Sequence, residues 1–231
     1  MGLRATIQRA KWLARSIAGR DIYTRPDIKT ACEVMGNDGA AFAILPETLN
    51  ATSVVYSFGI GTDISFDLAL IRRFGLQLHA FDPTPRSRQW LSSQTLPPEF
   101  HVHEYGVADI DGEIRFAEPK SPTHVSYTSV AREGLEQTVT APVRRLGSIM
   151  QELGHTRLDL LKMDIEGAEY GVIRDMLESR IHVRQLCVEF HHRWPEIGIA
   201  PTKEALSSLR NAGYKIFQIS PYGEEYSFLK D

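Results

Sequence analysis

Cysteine is scarce in this chain of 231 residues, which contains only Cys32 and Cys187. Two cysteines so far apart do not form the disulfide framework of a small secreted domain, and they favour a reducing, cytoplasmic location. An excess of basic residues is also lacking, because 26 lysines and arginines stand against 29 acids. General nucleic-acid binders are usually basic, so we expect no nucleic-acid partner.

Long apolar runs are absent as well. No stretch approaches the roughly 20 consecutive apolar residues of a membrane span, so we expect no stable membrane insertion. The first 20 residues contain five basic residues and no acid. Their apolar residues fall on one helical face, at Leu3, Ile7, Ala10, Ala14 and Ile17. This helix is either a solvated, loosely attached terminus or a membrane-surface or transit-like segment, and it lacks the features of a signal peptide.

The length suits one large α/β domain rather than two. From about residue 53, short apolar runs alternate with segments of helical period, which predicts βαβ units and a mainly parallel sheet. The last two strand-like runs, 214–219 and 226–229, are joined by too few residues for a parallel crossover, so the last strand must be antiparallel. We therefore predict a doubly wound sheet in residues 51–231, after a basic helix and lead-in segment in residues 1–50.

Apolar runs and turn residues also predict the individual elements. Strands are expected at 53–58, 76–81, 100–105, 158–163 and 185–190. Helices are expected at 87–93, 146–153, 168–177 and 201–212, and between Asp63, as N-cap, and Gly75. Asp111-Gly112 is typical of a hairpin turn, whereas residues 117–137 give no clear pattern.

A glycine-containing turn follows the first of these strands. Gly59-Ile60-Gly61 would allow a ligand to approach the backbone closely, and the helix beyond it offers free N–H groups. The alternative is a tight turn with no ligand. Asp82 ends the next strand, where an acid accepts hydrogen bonds from ribose hydroxyls in nucleotide-binding units. The alternative for Asp82 is that it caps the following turn.

The nucleotide is not expected to be a dinucleotide. Ile64 occupies the position of the third glycine of the dinucleotide fingerprint, where a bulky side chain separates helix and strand. Asp63 is also a poor neighbour for a phosphate. S-adenosylmethionine has no phosphate and carries a sulfonium cation, so it tolerates a nearby acid.

Two further groups of residues follow later strands. Asp164 ends the strand at 158–163, at the edge where open α/β sheets bind ligands, and it could contact a cofactor, a substrate or a metal. Glu166 and Glu169 follow it, either in the site or as capping residues of the next helix. Beyond the strand at 185–190, His191 suits deprotonation of an alcohol, while the adjacent His192 should point elsewhere. The alternative is that both histidines are ordinary loop residues.

These motifs resemble those of the FkbM family of methyltransferases. The resemblance rests on four runs in the family's order, at 55–61, 81–83, 162–169 and 188–190. The Lys-x-Asp-x-Glu-Gly-x-Glu run at 162–169 is the most specific of them. Two positions depart from the family pattern, because Ser57 stands where members often carry an acid and Asp63 where they carry a third glycine.

The resemblance implies a class I methyltransferase fold with seven strands, the last one antiparallel. It also implies S-adenosyl-L-methionine as cofactor and O-methylation of a hydroxyl on a small molecule or sugar. The implied cofactor-binding residues are Ser57, Phe58, Gly59, Gly61, Asp82, Ala108 and Asp109, and Asp164 is expected to face the sulfonium. Because of the departures, the contact with the methionine end of the cofactor is expected to differ.

The sequence is compatible with three functional hypotheses. In the first, His191 removes the acceptor's hydroxyl proton beside Asp164. In the second, Asp164 and Glu189 bind a divalent metal that lowers the pKa of the alcohol. In the third, the chain is an adenosyl- or nucleotide-binding domain without catalysis. Segments 117–137 and 191–200 are expected to shape the acceptor pocket, and the oligomeric state carries no signal.

Overall fold

The structure is a computed structural model that describes residues 3–117 and 138–231. The strands are β1 (Glu33–Met35), β2 (Phe42–Ile44), β3 (Val54–Phe58), β4 (Gln77–Phe81), β5 (Phe100–His103), β6 (Gly106–Val107), β7 (Gly112–Ala117), β8 (Thr138–Arg144), β9 (Leu158–Met163), β10 (Val183–Glu189), β11 (Lys215–Ile219) and β12 (Glu225–Leu229). The helices are α1 (Leu3–Ile17), α2 (Ser65–Phe74), α3 (Pro85–Leu91), α4 (Leu146–Leu153), α5 (Glu169–Glu178) and α6 (Ala200–Asn211). A short 3₁₀ turn occupies Pro46–Thr48.

A seven-stranded sheet forms the centre of the fold, in the order β11-β12-β10-β9-β3-β4-β5. Strands β10, β9, β3, β4 and β5 pair in parallel, whereas β12 is antiparallel to both β10 and β11. The predicted seven-stranded, mostly parallel sheet with an antiparallel last strand is therefore confirmed. The strand order reverses between β3 and β9, and the carboxyl ends of these strands are where such sheets bind ligands.

Helices cover both faces of this sheet. Alternate strand residues point to opposite faces, so Val55 packs among residues of α2 while its neighbour Tyr56 packs among those of α4 and α5. Strand β9 is buried along its whole length, as expected for a central parallel strand with both faces covered. The two buried clusters make the sheet a rigid platform for the loops at its carboxyl edge.

Helix α4 has the predicted boundaries, and the boundaries of the other predicted helices differ by one or two residues. Helix α2 begins at Ser65, and its N-cap is Ile64 rather than Asp63. The Oδ1 atom of Asp63 still accepts a hydrogen bond from the Ser65 N–H at 2.8 Å. Gly75 ends the helix in the left-handed conformation, which explains why glycine serves there as the stop signal.

The hairpin predicted at Asp111-Gly112 does not form. The turn joins β6 to β7, but these strands do not pair, because β8 lies between them in a small three-stranded sheet. Asp111 instead accepts hydrogen bonds from the Arg145 N–H and the Ser148 hydroxyl at the start of α4. Most of the unassigned stretch, residues 118–137, lies outside the described residues.

The chain before β1 is attached to the body through Asp21. Its carboxylate bonds to the His192 Nε2 atom at 2.7 Å and lies 2.7 Å from a guanidinium nitrogen of Arg193. Burial opposes the charge, but bonds from His192 and the Ile22 N–H, with the charge of Arg193, lower the pKa of Asp21 to about 2. Within the described ranges, no helix combines the length and the apolar character needed to cross a membrane.

Candidate active site

A cavity of about 250 Å³ opens at the carboxyl ends of β3, β4 and β9. The turn after β3 and the turn after β4 form two of its walls, and Asp164 and Glu166 follow β9 on a third side. Ile114 and Phe116 of β7 close it from the small sheet. The cavity therefore lies at the crevice that the strand order predicts.

The turn after β3 is packed too tightly for any residue but glycine at its first position. Gly59 has a φ of 77°, and a Cβ atom placed on it would lie 1.6 Å from the carbonyl oxygen of Asp164. The Gly59 N–H donates to the Phe81 carbonyl at 3.1 Å. Gly59 thus holds three strand ends together, and Gly61 continues the turn at a φ of 57°.

Asp82 fixes this turn through its carboxylate. One oxygen accepts hydrogen bonds from the N–H groups of Ile60 and Gly61, both at 3.1 Å. The other accepts from the N–H and the hydroxyl of Thr84, at 2.9 Å and 2.6 Å. A carboxylate offers about four acceptor positions, so the structure uses the full capacity of Asp82 inside the protein.

The structure brings most of the predicted cofactor residues to the cavity. Phe58, Gly59, Gly61, Asp82, Ala108 and Asp164 line it. Ser57 does not line it, because its side chain is fully buried in the sheet. Asp109 does not line it either, since its Oδ2 atom lies 3.2 Å from Arg174 of α5 and 3.0 Å from a Cβ position on Gly171.

Lys162 is a residue of the site that the sequence reasoning did not assign. Its buried ammonium donates hydrogen bonds to the carbonyls of Phe58 and Gly59 and lies 3.9 Å from the Asp164 carboxylate. Burial raises the pKa of Asp67 behind the turn, and the charge of Lys162 counteracts this shift. A lysine directly after the apolar pair Leu160-Leu161 of a predicted buried strand was the signal that could have identified it.

Three acids surround His191 beside the cavity. Its Nδ1 atom lies 3.1 Å from Glu169, and its Nε2 atom lies 3.2 Å from Glu166 and 3.8 Å from Asp164. Glu169 also accepts hydrogen bonds from the N–H groups of Ile165 and Gly167, so it fixes the loop between β9 and α5 as well as contacting the histidine. The loop after β9 and the loop after β10 therefore meet in one polar cluster.

The charge state of His191 follows from these neighbours. Burial opposes a charged ring, but the carboxylates of Glu169 and Glu166 raise the pKa of His191 to about 12. Both ring nitrogens then carry protons and donate to carboxylates at neutral pH. Burial raises the pKa of Asp164, while Lys162 and His191 oppose that shift. In this arrangement His191 holds a proton rather than offering a free lone pair.

Glu189 lies behind the cluster, outside the cavity lining. It is paired in register with Glu225 of β12, so that two acids face each other across neighbouring strands. Burial and the charges of Asp164 and Glu225 raise the pKa of Glu189 from 4.5 to about 9. The folded protein therefore keeps a proton on Glu189 that the unfolded chain releases.

Replacement of Glu189 by glutamine is expected to flatten the pH dependence of stability. Between pH 4.5 and about 9 the folded state binds one proton more than the unfolded state, so the free energy of unfolding of the native chain falls as the pH rises. The isosteric amide removes this proton exchange. Thermal unfolding at both ends of that pH window should show that the stability of Glu189→Gln falls less with rising pH than the stability of the native chain does. The exposed Glu204→Gln should retain the native slope, and equal slopes in all three chains would contradict the assignment.

The two adjacent histidines point to different sides. His191 faces the three acids, whereas His192 is buried against Asp21, as described above. The ring of Trp194 lies 4.6 Å from that of His191. The cluster therefore receives only the first histidine of the pair, and Trp194 covers it from the loop after β10.

The fold and the site together define the class of protein. The doubly wound, seven-stranded sheet has an antiparallel last strand, and the cavity lies where the glycine turn meets the acid of the next strand. This is the Rossmann-like fold of class I methyltransferases. The chain belongs to the FkbM family, because the model of the methyltransferase FkbM domain matches residues 32–216.

Individual relatives are more distant. The chain is 28% identical over 154 residues to the probable methyltransferase-like protein 24 of Rattus norvegicus, and 28% identical over 156 residues to that of Homo sapiens. These alignments cover 66% and 67% of the chain but only 36% and 37% of the relatives. A crystal structure of methyltransferase FkbM from Methylobacillus flagellatus KT aligns at 16% identity with a TM-score of 0.47, covering 78% of this chain and 44% of that one.

Proposed function

We propose that this chain is an S-adenosyl-L-methionine-dependent O-methyltransferase that binds its cofactor in the cavity at the carboxyl edge of the sheet. The observation that carries this proposal is the charge of the lining. Among the residues that the structure describes, four acids line the cavity against one cation, Lys162, which already donates to backbone carbonyls. The acids are Asp63, Asp82, Asp164 and Glu166. Such a lining suits a ligand with sulfonium and ammonium cations and disfavours the pyrophosphate of a dinucleotide.

The residues present fit this cofactor. The turn Gly59–Gly61 would hold its central part, and Ala108 at the far wall would meet the adenine. Asp82 already uses its acceptor positions within the protein, so we propose that it holds the turn in place rather than binding the ribose directly. When bound, S-adenosyl-L-methionine supplies a methyl group on a cationic sulfur. The hydroxyl acceptor is proposed to be a small molecule or a carbohydrate.

The acceptor must lose its hydroxyl proton during the transfer. Asp164 lines the cavity and lies between Lys162 and His191, so we propose that its carboxylate accepts this proton. His191 is fully engaged with carboxylates and would stabilise the charge of the cluster. The pair of loops would also hold the acceptor oxygen close to the methyl group, and such positioning contributes much of the rate.

Replacing Asp164 with asparagine tests this role. We expect turnover at saturating cofactor to fall by a factor of about 10² or more because the amide accepts no proton, and cofactor affinity to fall by a much smaller factor because three of the four lining acids remain. The measurement is the formation of S-adenosylhomocysteine with a panel of sugars, phenols and aliphatic alcohols. Asp111→Asn, at the start of α4, is the matched control. Unchanged turnover in Asp164→Asn would contradict the role of Asp164, and a panel that yields no product with the native chain would contradict a hydroxyl acceptor.

A metal-assisted reaction is the second candidate. Three side chains beside the cavity each offer one ligand atom, namely Asp164, Glu166 and His191. These three atoms lie within 4.8 Å of one another, a spacing that one divalent cation could bridge. Glu189, the partner expected from the sequence, is not among the three. Exhaustive chelation in the same assay separates the candidates. Turnover that survives chelation rejects the metal, and turnover that is lost and then restored by added Mg²⁺ or Mn²⁺ supports it. The cytoplasmic location and the absence of a nucleic-acid partner remain predictions.

A further inference from the structure

Helix α1 presents an apolar face to solvent. Ile17 is 80% exposed, Ile7 46% and Leu13 43%, although these side chains are among the most apolar in the chain. The exposed residues Ala10 and Ala14 lie on the same side of the helix. Within residues 3–117 and 138–231, this side of the helix has no partner that buries it.

The opposite face of α1 fixes the helix on the body of the protein. Trp12 is buried, and its Nε1 atom donates to the Ile22 carbonyl at 2.9 Å. Its ring lies 5.3 Å from the ring of Tyr23, and it packs so closely on Gly223 that a Cβ atom there would lie 2.5 Å away. The apolar side of α1 is therefore held outward by a packed contact on the other side.

The first 20 residues, which include α1, also concentrate positive charge. Five of the 26 basic residues lie in the first 20 positions, while all 29 acids lie beyond them. Arg4 and Arg15 form ion pairs with Asp38 and Asp21. The remaining three, Arg9, Lys11 and Arg20, have no acidic partner in the part of the chain that the structure describes. The result is an apolar strip flanked by free cations on a protein with a net charge of −3.

We propose that α1 binds the surface of an anionic phospholipid bilayer. The exposed apolar strip would enter the boundary between headgroups and acyl chains, and the free cations would contact lipid phosphates. A helix with cations, no acid and an exposed apolar strip has the charge complementarity for such a surface. Arg4 pairs with Asp38 in the β1–β2 turn, whose Gly39 lines the cavity, so the bound helix would keep the cavity close to the membrane. This proposal does not depend on the methyl-transfer reaction.

Vesicle flotation with the full chain tests the proposal. The chain should float with vesicles of phosphatidylcholine and phosphatidylglycerol in equal amounts, should float weakly with phosphatidylcholine alone, and should be released by high salt. The double variant Leu13→Asp with Ile17→Asp should bind the anionic vesicles at least about tenfold more weakly than the native chain. The matched control is Ile110→Asp, because Ile110 is 49% exposed elsewhere on the surface and its replacement should leave binding unchanged.

Two double variants, each of which removes two positive charges, complete the test. Arg9→Gln with Lys11→Gln should weaken binding to the anionic vesicles, whereas Lys203→Gln with Lys215→Gln, which removes two exposed lysines of α6 and β11, should not. All these positions are exposed, so unchanged melting temperatures will show that the variants fold. Failure of the native chain to bind anionic vesicles would overturn the proposal, as would equal binding by the Leu13/Ile17 variant. Self-association that this variant abolishes, without vesicle binding, would identify a second copy as the occupant and also overturn it.

Discussion

Replacing Asp82 with alanine is expected to weaken the binding of S-adenosyl-L-methionine by a factor of about 30 or more. The variant leaves the N–H groups of Ile60 and Gly61 without their acceptor, and an unsatisfied buried donor costs about 1–3 kcal/mol. The Thr84 bonds that fix the following turn are lost as well. The turn at the proposed cofactor site is then expected to lose its defined shape. Titration calorimetry of the native and variant chains measures the difference in affinity.

The control for this experiment is Asp111→Ala. Asp111 also accepts a hydrogen bond from a backbone N–H and one from a hydroxyl, but at the start of α4, outside the cavity lining. Its loss should lower the melting temperature slightly and leave cofactor affinity unchanged. If Asp82→Ala binds the cofactor as tightly as Asp111→Ala does, Asp82 does not organise the turn.

Replacing Gly59 with alanine is expected to lower the free energy of unfolding by more than about 3 kcal/mol, or by roughly 10 °C in melting temperature. The new Cβ atom would lie 1.6 Å from the Asp164 carbonyl oxygen and 2.7 Å from its carbon, and both atoms belong to the backbone. The φ of 77° adds the strain of a left-handed residue with a side chain. Because the clash pushes β3 and β9 apart at the cavity, cofactor binding should be lost as well.

The matched variant Gly75→Ala separates the clash from the backbone strain. Gly75 has a similar φ of 65°, but a Cβ atom there meets nothing within 4 Å. The Gly75→Ala substitution should therefore lower the free energy of unfolding by only about 1 kcal/mol, without any effect on cofactor binding. Thermal unfolding and calorimetric titration of both variants give the comparison. Similar losses at the two glycines would show that the contact between the turn and the Asp164 loop is not as tight as described.

The central sheet could be predicted from the sequence for a physical reason. Parallel strands with both faces covered are mainly apolar runs, and the runs at β3 and β9 are separated from their helices by glycine or acidic turns. The antiparallel direction of β12 followed from the short connection after β11, because no crossover fits within a few residues. Both signals depend on residues that are close together in the chain, so they can be recognised in a single sequence.

The pairing of β6, β7 and β8 could not be predicted in this way. A turn such as Asp111-Gly112 indicates a change of direction but does not identify the partner of each strand. The strand that separates β6 from β7 lies more than twenty residues farther along the chain. The hydrogen bonds of Asp111 to the start of α4 show that the same residues also suit a capping role.

Within the candidate site, sequence position indicated which residues approach the cavity but not what their side chains contact. Asp82 and Asp164 end strands, and both line the cavity as the topology implies. Ser57 and Asp109 are close in sequence to lining residues, but the alternation of strand side chains and a contact with α5 direct them elsewhere. The charge of His191 depends on acids that arrive from a separate loop, so no local pattern could predict it.

Calorimetric titration of the native chain with S-adenosyl-L-methionine is the most direct test of the proposed cofactor site. We expect saturable binding with one molecule per chain, and no comparable heat with NAD or ATP, because acids rather than phosphate-binding groups line the cavity. Absence of binding by S-adenosyl-L-methionine, or tighter binding of either phosphate-bearing nucleotide, would contradict the assignment of this cavity.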